Sequence, residues 1–189
     1  MQAVHDAQTA RRNGDKPSSG TLPAVKDTPW VTRTGESVRP LIAGCRIVPL
    51  VTHADARGTL TQLSNELFAE PVVDAHQVTI HPGMIKGWIM HEQQLDRLFF
   101  WQGYLRVVLY DDRPDSPTRG MVNDLCFGDC RPVLFFLPKM VWHAVQNVGT
   151  QIASHMSFPT VPYDHANPDK FRLPWNTDKI PFDFTRRGW

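Results

Sequence analysis

A chain of 189 residues with 41% hydrophobic and 21% charged residues is long enough for one globular domain with a buried core. A formal net charge of +1 gives no reason to expect nucleic acid or an anionic membrane as partner, and no apolar run approaches the ~20 residues of a membrane-spanning helix. The three cysteines, Cys45, Cys126 and Cys130, are too few and too scattered for a disulfide framework or a zinc site, so they read as reduced structural thiols.

In chain order, residues 1–36 are rich in Ser, Thr, Pro, Gly and charge and lack any periodicity, which predicts a flexible tail or arm. No apolar core of a secretory signal occurs there, so a cytoplasmic location is expected. Trp30 is the exception in this segment, a residue suited to docking on the folded part or on a partner subunit. Residues 37–189 form the second region. From Ile42 the pattern changes to short β-type runs between Gly, Pro and Asp turns: Ile47–Val51, Gln77–His81, Lys86–His91, Arg97–Trp101, Tyr104–Tyr110, Val133–Leu137 and Ile152–Phe158. Runs of this length and spacing predict an all-β sandwich or barrel. The stretch Asn167–Trp189, with its prolines and aromatics, predicts an irregular wrap over that barrel.

Residues two apart in a strand share a face. Gln77, Thr79 and His81 would then face together, as would Ile89 with His91 and His155 with Ser157. Several histidine-bearing polar faces in one small barrel predict a shared pocket rather than only a wetted exterior. His5, His53, His76 and His165 read as surface residues.

The most specific pattern runs from Gly83 to Asn147. Gly83, Ile89-Met90-His91, Asp96 and Gly103 resemble the first half of the metal-binding cupin pattern, with Ile89 in place of a histidine and Asp96 in place of a glutamate. Pro138-Lys139-Met140-Val141-Trp142-His143 and Asn147 resemble its second half. Around them, Asp55-Ala56-Arg57-Gly58, Lys86-Gly87-Trp88, Asp96-Arg97, Asp111 to Thr118 and Pro138 to His143 resemble the dTDP-4-dehydrorhamnose 3,5-epimerase family. So do Phe158-Pro159-Thr160, Tyr163, Pro168-Asp169 and Ile180-Pro181-Phe182, in a divergent form. The resemblance spans about residues 45–184 and implies a cupin double-stranded β-helix, or jelly-roll barrel, that pairs as a homodimer through exchanged edge strands.

Members of that family need no metal or other cofactor. They remove a proton beside a 4-keto group with a histidine, stabilise the enolate, and return the proton with a tyrosine, as carbon-acid chemistry requires. By the resemblance, Ile89 occupies the base position, Ser157 the acid position, Asp96 that of an enolate-side lysine, and Lys86 that of an arginine. His143 matches a retained histidine, Arg57 an arginine at the nucleotide end, and Tyr163 a tyrosine lining the sugar pocket. His91 stands two residues from the lost base, and His155 two residues from Ser157. Candidate catalytic residues are therefore His91, Asp96 and His143. Candidate substrate-binding residues are Arg57, Gln77, Lys86, His155, Ser157 and Tyr163, with His91 or His143 as base and Lys86 or Arg57 as oxyanion partner. Asp96 could instead pair with the adjacent Arg97. The Asp111–Thr118 run reads as a loop-fixing turn.

Three readings stand on these residues. The first is a metal-free isomerase or tailoring enzyme acting on a keto-sugar, a sugar nucleotide or a related oxygenated small molecule. The second is a metal-dependent cupin in which His91, Asp96 and His143 form a two-histidine, one-carboxylate set. The third is a non-catalytic cupin that binds a sugar or nucleotide.

Overall fold

The structure is a computed structural model, and it describes residues 26–34 and 37–185. The chain divides into two compact units, Met1–Pro40 and Leu41–Trp189. Most of the predicted tail, residues 1–25, and with it His5, lies outside the described residues. In the first unit, Val31 bridges Ser37 in antiparallel fashion, and the Arg39 guanidinium stacks on the Trp30 ring. Trp30 thus has local partners within its own unit.

The second unit is built from β1 (Arg46–Pro49), β2 (Thr52–Asp55), β3 (Gly58–Thr61), β4 (His76–Ile80), β5 (Ile85–Met90) and β6 (Asp96–Gln102). They are followed by β7 (Tyr104–Asp111), β8 (Val122–Gly128), β9 (Val133–Leu137), β10 (Val141–Asn147), β11 (Ala153–Ser157) and β12 (Phe171–Arg172). Asn65–Leu67 makes a single 3-10 turn. Ten strands form two antiparallel five-stranded sheets, β1-β9-β6-β11-β4 and β12-β5-β10-β7-β8, while β2 and β3 make a separate hairpin. This is the all-β jelly roll that the short, evenly spaced runs predict.

Between the sheets, one end is filled by Ile42, Leu98, Phe100, Leu105, Val107, Phe127, Phe135 and their neighbours, all buried. Both outer faces are also covered. Phe99, Leu134 and Phe136 pack outside the first sheet against Leu63, Leu67, Phe68 and Trp101. Trp88, Val108 and Ala144 pack outside the second sheet against Ile180, Phe182 and Phe184 of the C-terminal wrap. Strands buried on both faces lose the apolar–polar alternation, which is why β9 reads Val-Leu-Phe-Phe-Leu and is buried throughout.

Two strands absent from the sequence reading carry much of the second sheet. β8 contains Asn123 and Asp124, which mask its periodicity; Asp124 pairs with Arg106 at 2.6 Å on the neighbouring strand. β10 lies at the centre of the sheet between β5 and β7. Gly87 brings β5 against β10: a β-carbon there would sit 2.4 Å from that of Ala144, and φ is 145°. At the start of β10 the chain turns through Met140 at φ 63°, whose N–H donates to the His91 carbonyl at 2.7 Å.

The Asp111–Thr118 run is the loop-fixing turn its sequence predicts. The buried Asp111 carboxylate accepts from Arg113 Nε at 2.8 Å, Ser116 Oγ at 2.6 Å and Thr118 Oγ1 at 2.6 Å. Burial alone would raise its pKa, but these donors hold it far below the usual carboxylate range. Arg113 and Thr118 in turn bind the backbone of Ala43. Cys45, Cys126 and Cys130 are free thiols, and burial pushes the Cys45 thiol up to about 12. Asp111→Ala removes the acceptor shared by three residues, Arg113, Ser116 and Thr118, so urea unfolding at pH 7 is expected to show a loss of about 3 kcal/mol. An unchanged midpoint would show that the turn does not support the barrel.

Candidate functional site

At the other end of the two sheets lies a cavity of about 820 Å³. From the second sheet it is lined by Lys86, Ile89, His91, His143 and Arg172, and from the first by His76, Asp96, His155 and Ser157. Alternation on β6 decides its centre. Asp96 faces inward, and the next residue, Arg97, points out through the sheet. The Arg97 guanidinium is buried and donates to the carbonyls of Glu70, Pro71, Phe158 and Pro159 at 2.6–3.1 Å. Asp96 is therefore not Arg97's partner and is left for the cavity.

His91 and His143 reach the same carboxylate. Their Nε2 atoms lie 3.5 and 3.6 Å from Asp96 Oδ2, and the two rings are 5.7 Å apart. The other Asp96 oxygen accepts from Gln94 Nε2 at 2.6 Å. Each ring turns its Nδ1 toward a carbonyl, His91 to Asp169 and His143, at 3.4 Å, to Val141. A carbonyl can only accept, so the ring hydrogen belongs on Nδ1 and the lone pair on Nε2. With both rings neutral, two nitrogen lone pairs would confront a carboxylate oxygen in a buried space. Such a set repels itself until a proton or another cation joins it. All three residues offer a ligand atom within 4.8 Å of the others.

Asp169 is itself anchored. Its carboxylate accepts the backbone N–H groups of Glu92, Gln93 and Gln94 at 2.8–3.0 Å. Burial opposes the charge, but these donors outweigh it and hold the carboxyl below its ordinary value. The turn that follows His91 and the C-terminal wrap are thereby locked together.

The other sequence candidates divide between the cavity and the surface. His155 and Ser157 line the cavity from β11, with the His155 ring 5.1 Å from Phe100 and its Nδ1 buried without a hydrogen-bond partner. Lys86 reaches the rim where the β5–β10 register slips by one residue, and Tyr163 forms part of the mouth. Gln77 does not belong to the cavity. The inward face of β4 is His76-Val78-Ile80, because burial of Ile80 sets the register and turns Gln77 to solvent. Arg57 sits at the tip of the β2–β3 hairpin, its side chain 90% exposed and paired with Asp55 at 2.7 Å, away from the cavity.

Two histidines read as surface residues line the mouth instead. His76 lies 3.5 Å from Asp74, and Tyr163 stands edge-on to both His76 and His165. For His76 the signal was present in its alternation with Val78 and Ile80. For His165 and Lys170, both in irregular chain, no periodicity marked them.

Burial lowers the pKa of both His143 and His155 from the ordinary 6.5 to about 4. Between those values the unfolded chain binds protons that the folded chain refuses. The stability held by each neutral ring is complete above about pH 6.5 and is lost as pH falls toward 4, by on the order of 3 kcal/mol per histidine. Urea midpoints should fall across that window, and His155→Gln should flatten the decline. An unaltered slope would mean that His155 is already charged in the folded protein.

No protein-family model matches the chain. It is 34% identical over 146 residues to the spore coat polysaccharide biosynthesis protein SpsL of Bacillus subtilis, covering 76% of this chain and 97% of that protein. It is 31% identical over 150 residues to the probable low-salt glycan biosynthesis epimerase Agl13 of Haloferax volcanii, covering 77% and 96%. The dTDP-4-dehydrorhamnose 3,5-epimerase structure from Bacillus anthracis superposes with a TM-score of 0.68 at 16% identity, over 80% of this chain and 90% of that one. The jelly roll, the motifs in order along it and these similarities agree: the chain belongs to the dTDP-4-dehydrorhamnose 3,5-epimerase family of cupins.

Proposed function

We propose that this protein is a metal-free sugar-nucleotide epimerase or isomerase that removes a proton beside the ketone of a keto-sugar, with His91 as the base. The observation that carries this reading is the convergence of His91 Nε2, His143 Nε2 and Asp96 Oδ2, a set short of one positive charge. His91 Nδ1–H is held by the Asp169 carbonyl, which leaves Nε2 free to accept. As the C–H bond breaks, its electron pair moves into the enolate and the proton forms the Nε2–H bond. Asp96 then faces an imidazolium instead of a lone pair, so the acceptor set gains from the transfer. Delivery of a proton to the opposite face by a second donor, such as water entering the cavity, gives an epimer, and delivery to the former carbonyl carbon with loss of the neighbouring hydroxyl proton gives a keto-isomer. Ile89, in the family's base position, lines the cavity and takes no proton.

Family membership supports a sugar nucleotide as the substrate. His143 and His155, both neutral near pH 7, would supply ring N–H or acceptor atoms to it, with Ser157, Tyr163 and Lys86 around them. A homodimer in the cytoplasm is part of this reading. It is supported by the projecting β2–β3 hairpin, which leaves Leu60 61% and the preceding Val51 70% exposed. Among the described residues, no helix is long and apolar enough to cross a membrane.

In deuterium oxide, dTDP-4-keto-6-deoxyglucose is expected to take up deuterium at C3 or C5 faster than in a protein-free control. His91→Gln should slow that exchange by roughly 100-fold or more while the fold persists. Exchange no faster than the control would remove this reading, and full exchange by His91→Gln would remove His91 as base.

The same three atoms favour one second reading, a divalent metal held by His91, Asp96 and His143. Chelation with EDTA separates the two. Exchange is expected to be unchanged after metal removal, whereas its loss, with recovery on adding Fe(II) or Mn(II), would establish the metal-dependent cupin.

A further inference from the structure

Proton removal beside a ketone leaves negative charge on the oxygen, and that oxygen needs a partner. Arg57 and Lys86 were the cations the sequence offered. Arg57 is bound to Asp55 outside the cavity, and Lys86 is an exposed residue at its rim. Asp96, where the family carries a lysine, supplies no cation. The cavity lining nevertheless contains two more, Lys170 and Arg172, on a different segment, and of these Arg172 is exposed. Lys170 is half-buried in the lining, and its ammonium lies 5.7 Å from the centre of the Tyr163 ring.

Its position is set by the residues that orient the base. Asp169 is pinned by three backbone N–H groups of Glu92–Gln94, and its carbonyl holds His91 Nδ1. Lys170 follows directly, its own N–H closing a tight turn on the Pro168 carbonyl at 2.8 Å. One short segment therefore presents a carbonyl to the base and an ammonium to the cavity. Among the described residues, no carboxylate comes within 4.0 Å of that ammonium. Burial, and then the neighbouring Arg172 and Lys86, lower its pKa from the ordinary value, with Asp96 as a partial counter-charge. A cation penalised by burial and short of a partner gains most when an anion forms beside it. The same charge contributes to keeping His143 neutral, which puts Lys170 within electrostatic reach of the proton-handling groups.

We propose that Lys170 is a catalytic residue of this enzyme, the oxyanion partner whose ammonium stabilises the enolate oxygen as His91 takes the carbon-bound proton. The inference rests on the proposed function. In the transfer the C–H pair moves to the C–C bond and the carbonyl pair to oxygen. The proton goes to His91 Nε2, and Lys170 donates a hydrogen bond without losing its own proton. The cation is thus delivered by the C-terminal wrap, next to the residue that orients the base, in place of a lysine on β6.

Deuterium exchange into dTDP-4-keto-6-deoxyglucose, measured on the full chain, tests the assignment with Lys170→Met and Lys170→Arg. Lys170→Met is expected to lower kcat for exchange by roughly 100-fold, with KM changed by less than about threefold. Lys170→Arg, which keeps the charge, is expected to recover part of that loss. If Lys170→Met does not fold, Lys170→Gln replaces it with the same two outcomes. Exchange by the neutral variant within about threefold of wild type would overturn the role of Lys170 and leave His91 as base. A loss confined to KM would overturn it as well, showing a binding role instead. Absence of exchange in the wild-type protein would overturn the His91 reading and this inference together, so the two failures are told apart by which protein fails.

Discussion

The site depends on one strand turning two charged neighbours in opposite directions. On β6, Asp96 and Arg97 are both buried, yet each has a different environment because successive side chains of a strand leave by opposite faces. Arg97 gathers four carbonyls from the 70–71 and 158–159 segments. A buried guanidinium with its donors satisfied by neutral oxygens keeps its charge and fixes both segments, since releasing either leaves donors unpaired in a dry environment. With Arg97 occupied outside, the Asp96 carboxylate is left facing two imidazoles. Had the register slipped by one residue, the cavity would hold a guanidinium and the carboxylate would lie beneath the outer apolar cluster.

A second constraint ties remote parts of the chain to that centre. His91 leaves the end of β5, His143 sits on β10, and Asp169 belongs to the wrap that follows the last long strand. Asp169 joins the wrap to the end of β5, its carboxylate on the backbone of 92–94 and its carbonyl on the His91 ring. The arrangement orients an imidazole through a neutral carbonyl rather than through a carboxylate. A neutral partner fixes the ring hydrogen on Nδ1 without adding a second negative charge beside Asp96. The cavity also keeps apolar walls in Ile85, Ile89, Leu98 and Val145, and burial of the His143 ring holds its pKa down.

On the proposed reading, polar function has moved from the family's positions by short steps along existing strands. Ile89 and Ser157 still line the cavity, so backbone and register persist where side-chain chemistry has changed. A strand offers the positions two residues away on the same face, which allows a proton-accepting ring to relocate without altering the fold. The jelly roll tolerates this because its stability comes from the filled end between the sheets and the two covered outer faces.

Fold class was legible in the sequence because short β-type runs punctuated by turns permit few architectures, and the ordered motifs from Asp55 to Phe182 named the family. The inward-facing group His91, Asp96, His143, His155 and Ser157 was legible for the same reason, since motif spacing and two-residue periodicity survive in central strands. Gln77 was misplaced because β4 alternates between two mixed faces, and only burial of Ile80 chooses between them. Arg57 was placed by its motif, but it stands at the tip of the separate β2–β3 hairpin, exposed and outside the cavity lining. His76 and His165 looked like surface residues because nothing local distinguishes a mouth from an exterior. Lys170 had no signal at all: its nearness to His91 comes from a contact across 78 positions, made by Asp169. The sequence alone determined which side chains each strand could present. Which of them meet around one oxygen was decided by long-range packing, because sheet register and wrap anchorage are set by burial that no local stretch contains.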